Sequence, residues 1–100
     1  MSHQSSWANQ QTTDLFNAIL KIKTVKEAEQ FFRDLLTLQE IDEISRRWQA
    51  VLLLDNGLSY REIAKITGHS TTTIARIAHW LNFGEGGYRL MLKRVKNKKS

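Results

Sequence analysis

Ser59-Tyr60-Arg61-Glu62-Ile63-Ala64-Lys65-Ile66-Thr67-Gly68-His69-Ser70-Thr71-Thr72-Thr73-Ile74-Ala75-Arg76-Ile77 is the stretch on which the fold turns. Ser59 followed by Glu62 is a capping box, in which the hydroxyl accepts a backbone N–H and the carboxylate reaches back to the cap. Ser70 is placed to cap a second helix. Two short helices that cross closely need a small residue at the crossing, a glycine four residues later at the turn, and apolar plugs from the second helix. Ala64, Gly68, Ile74 and Ile77 meet those needs, with Ile63 and Ile66 as the first helix's inner face. A helix-turn-helix over residues 59–81 is expected.

A 100° wheel groups Ile74, Ile77, Ala78 and Leu81 on the inner side of the second helix and sets Thr72, Arg76 and His79 opposite, flanked by Thr71, Thr73 and Ala75. Threonine offers a hydroxyl to base edges and a methyl to thymine, arginine pairs with guanine or phosphate, and the free N–H groups beyond Ser70 suit phosphate. Arg61 and Lys65, beside Tyr60 on the preceding helix, are placed to hold the nucleic-acid backbone, which fixes register without reading sequence. The candidate DNA-binding set is Tyr60, Arg61, Lys65, Ser70, Thr71, Thr72, Thr73, Arg76 and His79. For Thr73, a purely local capping role competes evenly with contact.

Charge follows the same division. The chain of 100 residues has net charge +5. Residues 1–56 carry six bases and eight acids, a balance of −2, whereas residues 57–100 carry nine bases and two acids, a balance of +7. A basic half on a mildly acidic half reads as a polyanion-binding end on a scaffold. A solvated basic tail, residues 96–100, accounts for Lys96, Lys98 and Lys99 alone.

Proline is absent and breakers are few, so the apolar residues recur at helical spacing almost throughout and the fold class is all-α, with six helices. A polar start to about residue 11 reads as a flexible tail, followed by a helical domain over 12–95. Asp14 opens a helix bearing Leu15, Phe16, Ile19, Leu20 and Ile22. Thr24-Val25-Lys26-Glu27 is a second capping box ahead of Phe31, Phe32, Leu35 and Leu36, and Thr37-Leu38-Gln39-Glu40 a third. The helix this opens runs to Asp55, where Gly57 can take a left-handed turn. Ile41, Ile44, Trp48, Val51 and Leu52 form its stripe, and Leu53 and Leu54 carry the apolar surface round its last turns. Such a helix must be covered on all sides, which points to a second copy and an interface of roughly 2,000 Å² or more; a monomer with a well-wrapped central helix is the alternative. After the loop Asn82–Gly87, Tyr88, Met91, Leu92 and Val95 mark a final amphipathic helix expected to pack on the partner, with Arg89, Lys93, Arg94 and Lys96 on its other face.

Other classes are bounded by what the chain lacks. Without cysteine there are no disulfides, thiolate zinc sites or thiol catalysis. His3, His69 and His79 lack metal-pair spacing, so no metal site is expected. The longest apolar run, Val51–Leu54, is far short of the ~20 residues that span a bilayer, and the first six residues lack a signal peptide's apolar core. A cytoplasmic protein, associated with the bacterial nucleoid when bound to DNA, is expected. No nucleophile set, phosphate-cradling loop or carboxylate pair suggests an enzyme.

The sequence resembles the Trp repressor superfamily, particularly its YerC/YecD-like branch, over about Thr13 to Val95. The resemblance rests on Phe31-Phe32-Arg33-Asp34-Leu35-Leu36-Thr37, the helix Glu40–Asp55 with Arg47, the block from Gly57 to Ile63, and Thr73-Ile74-Ala75-Arg76. It implies an intertwined all-helical homodimer with two projecting DNA-reading heads. In tryptophan-responsive members the indole lies between two arginines, beside a glycine and near a serine that helps hold the amino group. Arg47, or Arg46 if the alignment slips by one, and Arg76 match the arginines, but Ile77 stands at the glycine and Trp80 at the serine. Two bulky side chains where the ligand needs space argue against L-tryptophan as a cofactor. The expected function is a homodimeric, sequence-specific repressor of transcription that binds double-stranded DNA, with its effector unknown. A protein-interaction module with an inherited helix-turn-helix, a tryptophan-responsive repressor, and the recognition end of a transposase-like system are the alternatives.

Overall fold

The computed structural model describes residues 6–97, and among them all regular structure is helical. Lys98 and Lys99 of the basic tail, and His3, lie outside the described residues. The chain divides into two units, residues 1–37 and 38–100.

The first unit holds α1 (Gln10–Ile19) and α2 (Val25–Leu35). Helix α1 starts four residues before Asp14, because Asn9 and Thr12 form a capping box: the Thr12 N–H donates to the Asn9 side chain and the Asn9 N–H to the Thr12 hydroxyl, each at 2.9 Å. Thr24 caps α2 as expected, accepting the Glu27 N–H at 3.0 Å. The Glu27 carboxylate, however, accepts the N–H of Lys23 rather than that of Thr24. Neither helix buries a single residue within the chain. Phe31 and Phe32 meet edge to face at 5.5 Å, and Trp7 meets Phe16 in the same manner at 6.3 Å.

The second unit is built on α3 (Leu38–Asp55), against which α4 (Tyr60–Thr67) and α5 (Thr71–Phe83) pack, with α6 (Gly87–Asn97) packed on α5. Its core is Ala50 and Val51 of α3, Ile63 of α4, Ile74, Ile77 and Leu81 of α5, and Leu92 of α6. Leu53 and Leu54, expected to require a second chain, pack partly buried against this core within their own chain. The apolar side of α6 is likewise divided. Leu92 is buried and Tyr88 packs against the core, while Met91 and Val95 remain exposed. Lys96 lies within α6, which continues to Asn97, and its exposed side chain pairs with Asp55 at the end of α3, 2.7 Å away. Asp55 itself is followed by Gly57 at φ 85°, the left-handed turn that ends α3.

Candidate nucleic-acid interface

Helix α4 carries the Ser59 box in full. The Glu62 N–H donates to the Ser59 hydroxyl at 3.1 Å, and the Ser59 N–H donates to the Glu62 carboxylate at 2.9 Å. The Ser59 N–H, and after it the Ser59 side chain, hold the Glu62 carboxyl below its ordinary value. The helix ends at Gly68 with φ 80°, its N–H bonded to the Ala64 carbonyl at 2.9 Å. A left-handed residue is costly for anything but glycine, which explains Gly68 at the turn.

The inner face of α4 differs from expectation at one position. Ile66 is 53% exposed, and Thr67, 3% exposed, takes the inward place one turn after Ile63. Residues four apart share a helix face, whereas Ile66 falls to the side. Burial of the Thr67 hydroxyl is compensated: it donates to the Ile63 carbonyl at 2.8 Å and accepts the His69 N–H at 3.3 Å.

Helix α5 separates its two faces cleanly. Ile74, Ile77, Ala78 and Leu81 are buried, while Thr71, Thr72, Ala75, Arg76 and His79 are exposed. Ser70 caps the helix by accepting the Thr73 N–H at 3.1 Å, and its own hydroxyl donates to the Thr73 oxygen. The Thr73 side chain is thereby engaged within the cap and half-buried. Tyr60, Arg61 and Lys65 are exposed on α4. No salt bridge among the described residues engages Arg61, Lys65 or Arg76, whereas Arg46, Arg47 and Lys96 are all paired. The His79 ring lies against Phe83, 5.2 Å between centroids.

Two positioning features had no clear signal in the sequence. Arg46 of α3 pairs with Asp42 and also donates to the Thr67 carbonyl at 3.3 Å, so the long helix grips the turn itself. At the far end of α5, Arg89 donates to the Asn82 side chain at 2.6 Å, and Asn82 donates to the Ala78 carbonyl at 3.0 Å, which joins α6 to the reading helix.

Of the four candidate effector residues, Arg47 lies on α3 and Arg76, Ile77 and Trp80 on α5. Arg47 pairs with Glu43 at 3.3 Å, Arg76 lies on the exposed face of α5, Ile77 is fully buried in the core, and Trp80, 41% exposed, lines a groove with Trp48 of α3 and Tyr88 and Met91 of α6. The Arg46 alternative is occupied by Asp42 and the turn.

Residues 10–96 match the family described as Trp repressor protein. The chain belongs to the Trp repressor family. The protein YerC of Bacillus subtilis is 42% identical over 82 residues, covering 82% of this chain and 79% of YerC. Among solved structures, a TrpR-like protein from Eubacterium eligens superimposes with a TM-score of 0.84 at 39% identity, covering 88% of this chain and 91% of that one. A Trp repressor candidate from Staphylococcus aureus gives 0.83 at 35% identity, with 89% of each chain covered. The all-helical class and the resemblance to YerC drawn from the sequence are thus borne out. The Trp repressor family is one of helical DNA-binding regulators. Among the described residues of this one, no helix is long and apolar enough to cross a membrane.

Proposed function

We propose that this Trp repressor family member is a sequence-specific transcriptional repressor that binds double-stranded DNA as a homodimer and does not use L-tryptophan as corepressor. The observation that carries the reading is the division of α5: its buried side is fixed in the core, and its other side presents Thr71, Thr72, Ala75 and Arg76 together at the N-terminal end. That end of a helix is the part a helix-turn-helix inserts into the major groove. Arg61 and Lys65, four residues apart on α4 and unengaged in salt bridges among the described residues, suit the flanking phosphates. Tyr60, Ser70 and His79 border the same surface, and Thr73 supports it through the cap.

Dimerisation is supported by α1 and α2, none of whose residues is fully buried, with Phe16, Leu20, Val25 and Leu35 exposed on or beside them. Short amphipathic helices whose apolar faces are only half covered gain stability by packing on a further apolar surface. Independence from tryptophan is supported by Ile77, whose side chain fills the core at the position a ligand would require. The test is DNA binding across salt concentrations, with Arg76→Glu as control. Binding that weakens steeply as salt rises, and that is lost in Arg76→Glu, is the expected result. Isothermal titration with L-tryptophan is expected to give no micromolar binding.

A further inference from the structure

We propose that Arg89, Lys93 and Lys96 of α6 form a second DNA contact, which grips the phosphate backbone beside the site read by α5. The inference rests on the DNA-binding reading above and extends it to a helix outside the helix-turn-helix. Helix α6 carries four cations and no acid. At 100° per residue, Arg89, Lys93 and Lys96 fall on one flank of the buried Leu92, Tyr88, Met91 and Val95 fall on the other, and Arg94 lies opposite Leu92. The same three cations line one cavity of about 220 Å³, together with Leu92, Asn97 and Asp55 of α3. A partner chain seated on the apolar flank therefore leaves this row in solvent.

The row is held in place and keeps its charge. Leu92 anchors α6 in the core, Arg89 is bonded to the neutral amide of Asn82, and Lys93 makes no salt bridge among the described residues. Lys96 pairs with Asp55, so three cations face a single carboxylate. A rise of about 1.5 Å per residue spreads the row over about 10 Å, long enough to follow a charged strand rather than one anion. The cavity is also smaller than the roughly 300–1,000 Å³ of a small-molecule site. Place in the fold then selects the polyanion. The Lys96–Asp55 pair brings the C-terminal end of the row to the end of α3, from which the chain turns at Gly57 into Ser59, the cap of α4. The first turn of α4 holds Tyr60 and Arg61, already placed on the candidate DNA surface. DNA held at Arg61 is the polyanion that this corner of the second unit meets.

The experiment uses the full chain and two probes: the duplex that the wild type selects from a random pool, with flanks of arbitrary sequence, and the same duplex cut back to its half-sites. Affinity is measured across salt for the wild type, Lys93→Gln and Arg94→Gln. Both substitutions remove one charge from an exposed position of the same helix, so neither empties the core and net charge changes equally. On the flanked duplex Lys93→Gln should lower the slope of log affinity against log salt by about 0.9, the counterions released by one phosphate contact. Arg94→Gln should leave the slope unaltered, and Lys93→Arg should restore it. Preference for the selected site over a scrambled one should stay constant, because phosphate contacts carry no sequence information. On the trimmed duplex the wild type and Lys93→Gln should coincide. Equal slopes for the wild type and Lys93→Gln on the flanked duplex, equal reductions in Lys93→Gln and Arg94→Gln, or a difference that persists on the trimmed duplex would overturn the proposal and leave the regulatory reading standing. A wild type that binds neither duplex would overturn both.

Discussion

Arg46 donates a hydrogen bond from α3 to the carbonyl of Thr67, the last residue of α4, and its guanidinium would stand 3.1 Å from a Cβ at Gly68. The helix-turn-helix is thus held from behind by the longest helix as well as by its own plugs. Arg46→Ala should lower stability by about 1 kcal/mol, the worth of one such bond. Gly68→Ala should cost roughly 1–2 kcal/mol because φ is +80° there. The two changes share a contact and are expected not to add. Thermal unfolding of both single variants and the double variant checks this; full additivity would argue that Arg46 and the turn are independent.

Ile63 and Ile66 provide a direct comparison, since they are chemically identical and three residues apart. Ile63 is fully buried and Ile66 largely exposed. Ile63→Ala should cost about 2–5 kcal/mol, and Ile66→Ala no more than about 0.5 kcal/mol. Urea unfolding of the two variants separates the values. Similar losses would place Ile66 in the core after all.

Acid should loosen the start of α4. The Ser59 N–H and side chain hold the Glu62 carboxyl below its ordinary 4.5, so the group is more acidic folded than unfolded. Its stabilising contribution is therefore complete above that ordinary value and is lost as pH falls through the lowered folded value. Glu62→Gln removes the titration. Between about pH 5 and about pH 3 the melting temperature of the wild type should fall further than that of Glu62→Gln. Parallel curves would contradict a role for the ionised box.

Much of this architecture was legible because local chemistry and tertiary packing agree. Ser59, Gly68, Ser70, Ile74 and Ile77 each have a backbone or packing requirement that the sequence states directly, and each does in the structure what that requirement implies. Legibility failed where side-chain identity and position diverge. Ile66 is apolar but falls off the inner stripe, whereas Thr67 is polar yet buried because its hydroxyl finds the Ile63 carbonyl. Asn9 looked like part of a polar tail, and only its reciprocal bonds with Thr12 reveal a helix start. Arg46 and Arg47 are adjacent and chemically alike. Their different partners, the turn for one and Glu43 for the other, depend on how α3 is rotated against its neighbours. The basic half of the chain also resolves unevenly: Lys96 pairs with Asp55, whereas Arg61, Lys65 and Arg76 are exposed and engaged in no salt bridge among the described residues.

Selection of bound DNA from a random pool, followed by affinity measurement with wild type and Arg76→Glu, tests the central claim most directly. The two-fold reading predicts enrichment of an imperfect palindrome with half-sites about one helical turn, roughly 34 Å, apart. It also predicts that Arg76→Glu keeps its helical spectrum and loses the site. A pool that yields no common sequence, or an Arg76→Glu variant that binds the selected site as tightly as the wild type, would contradict it.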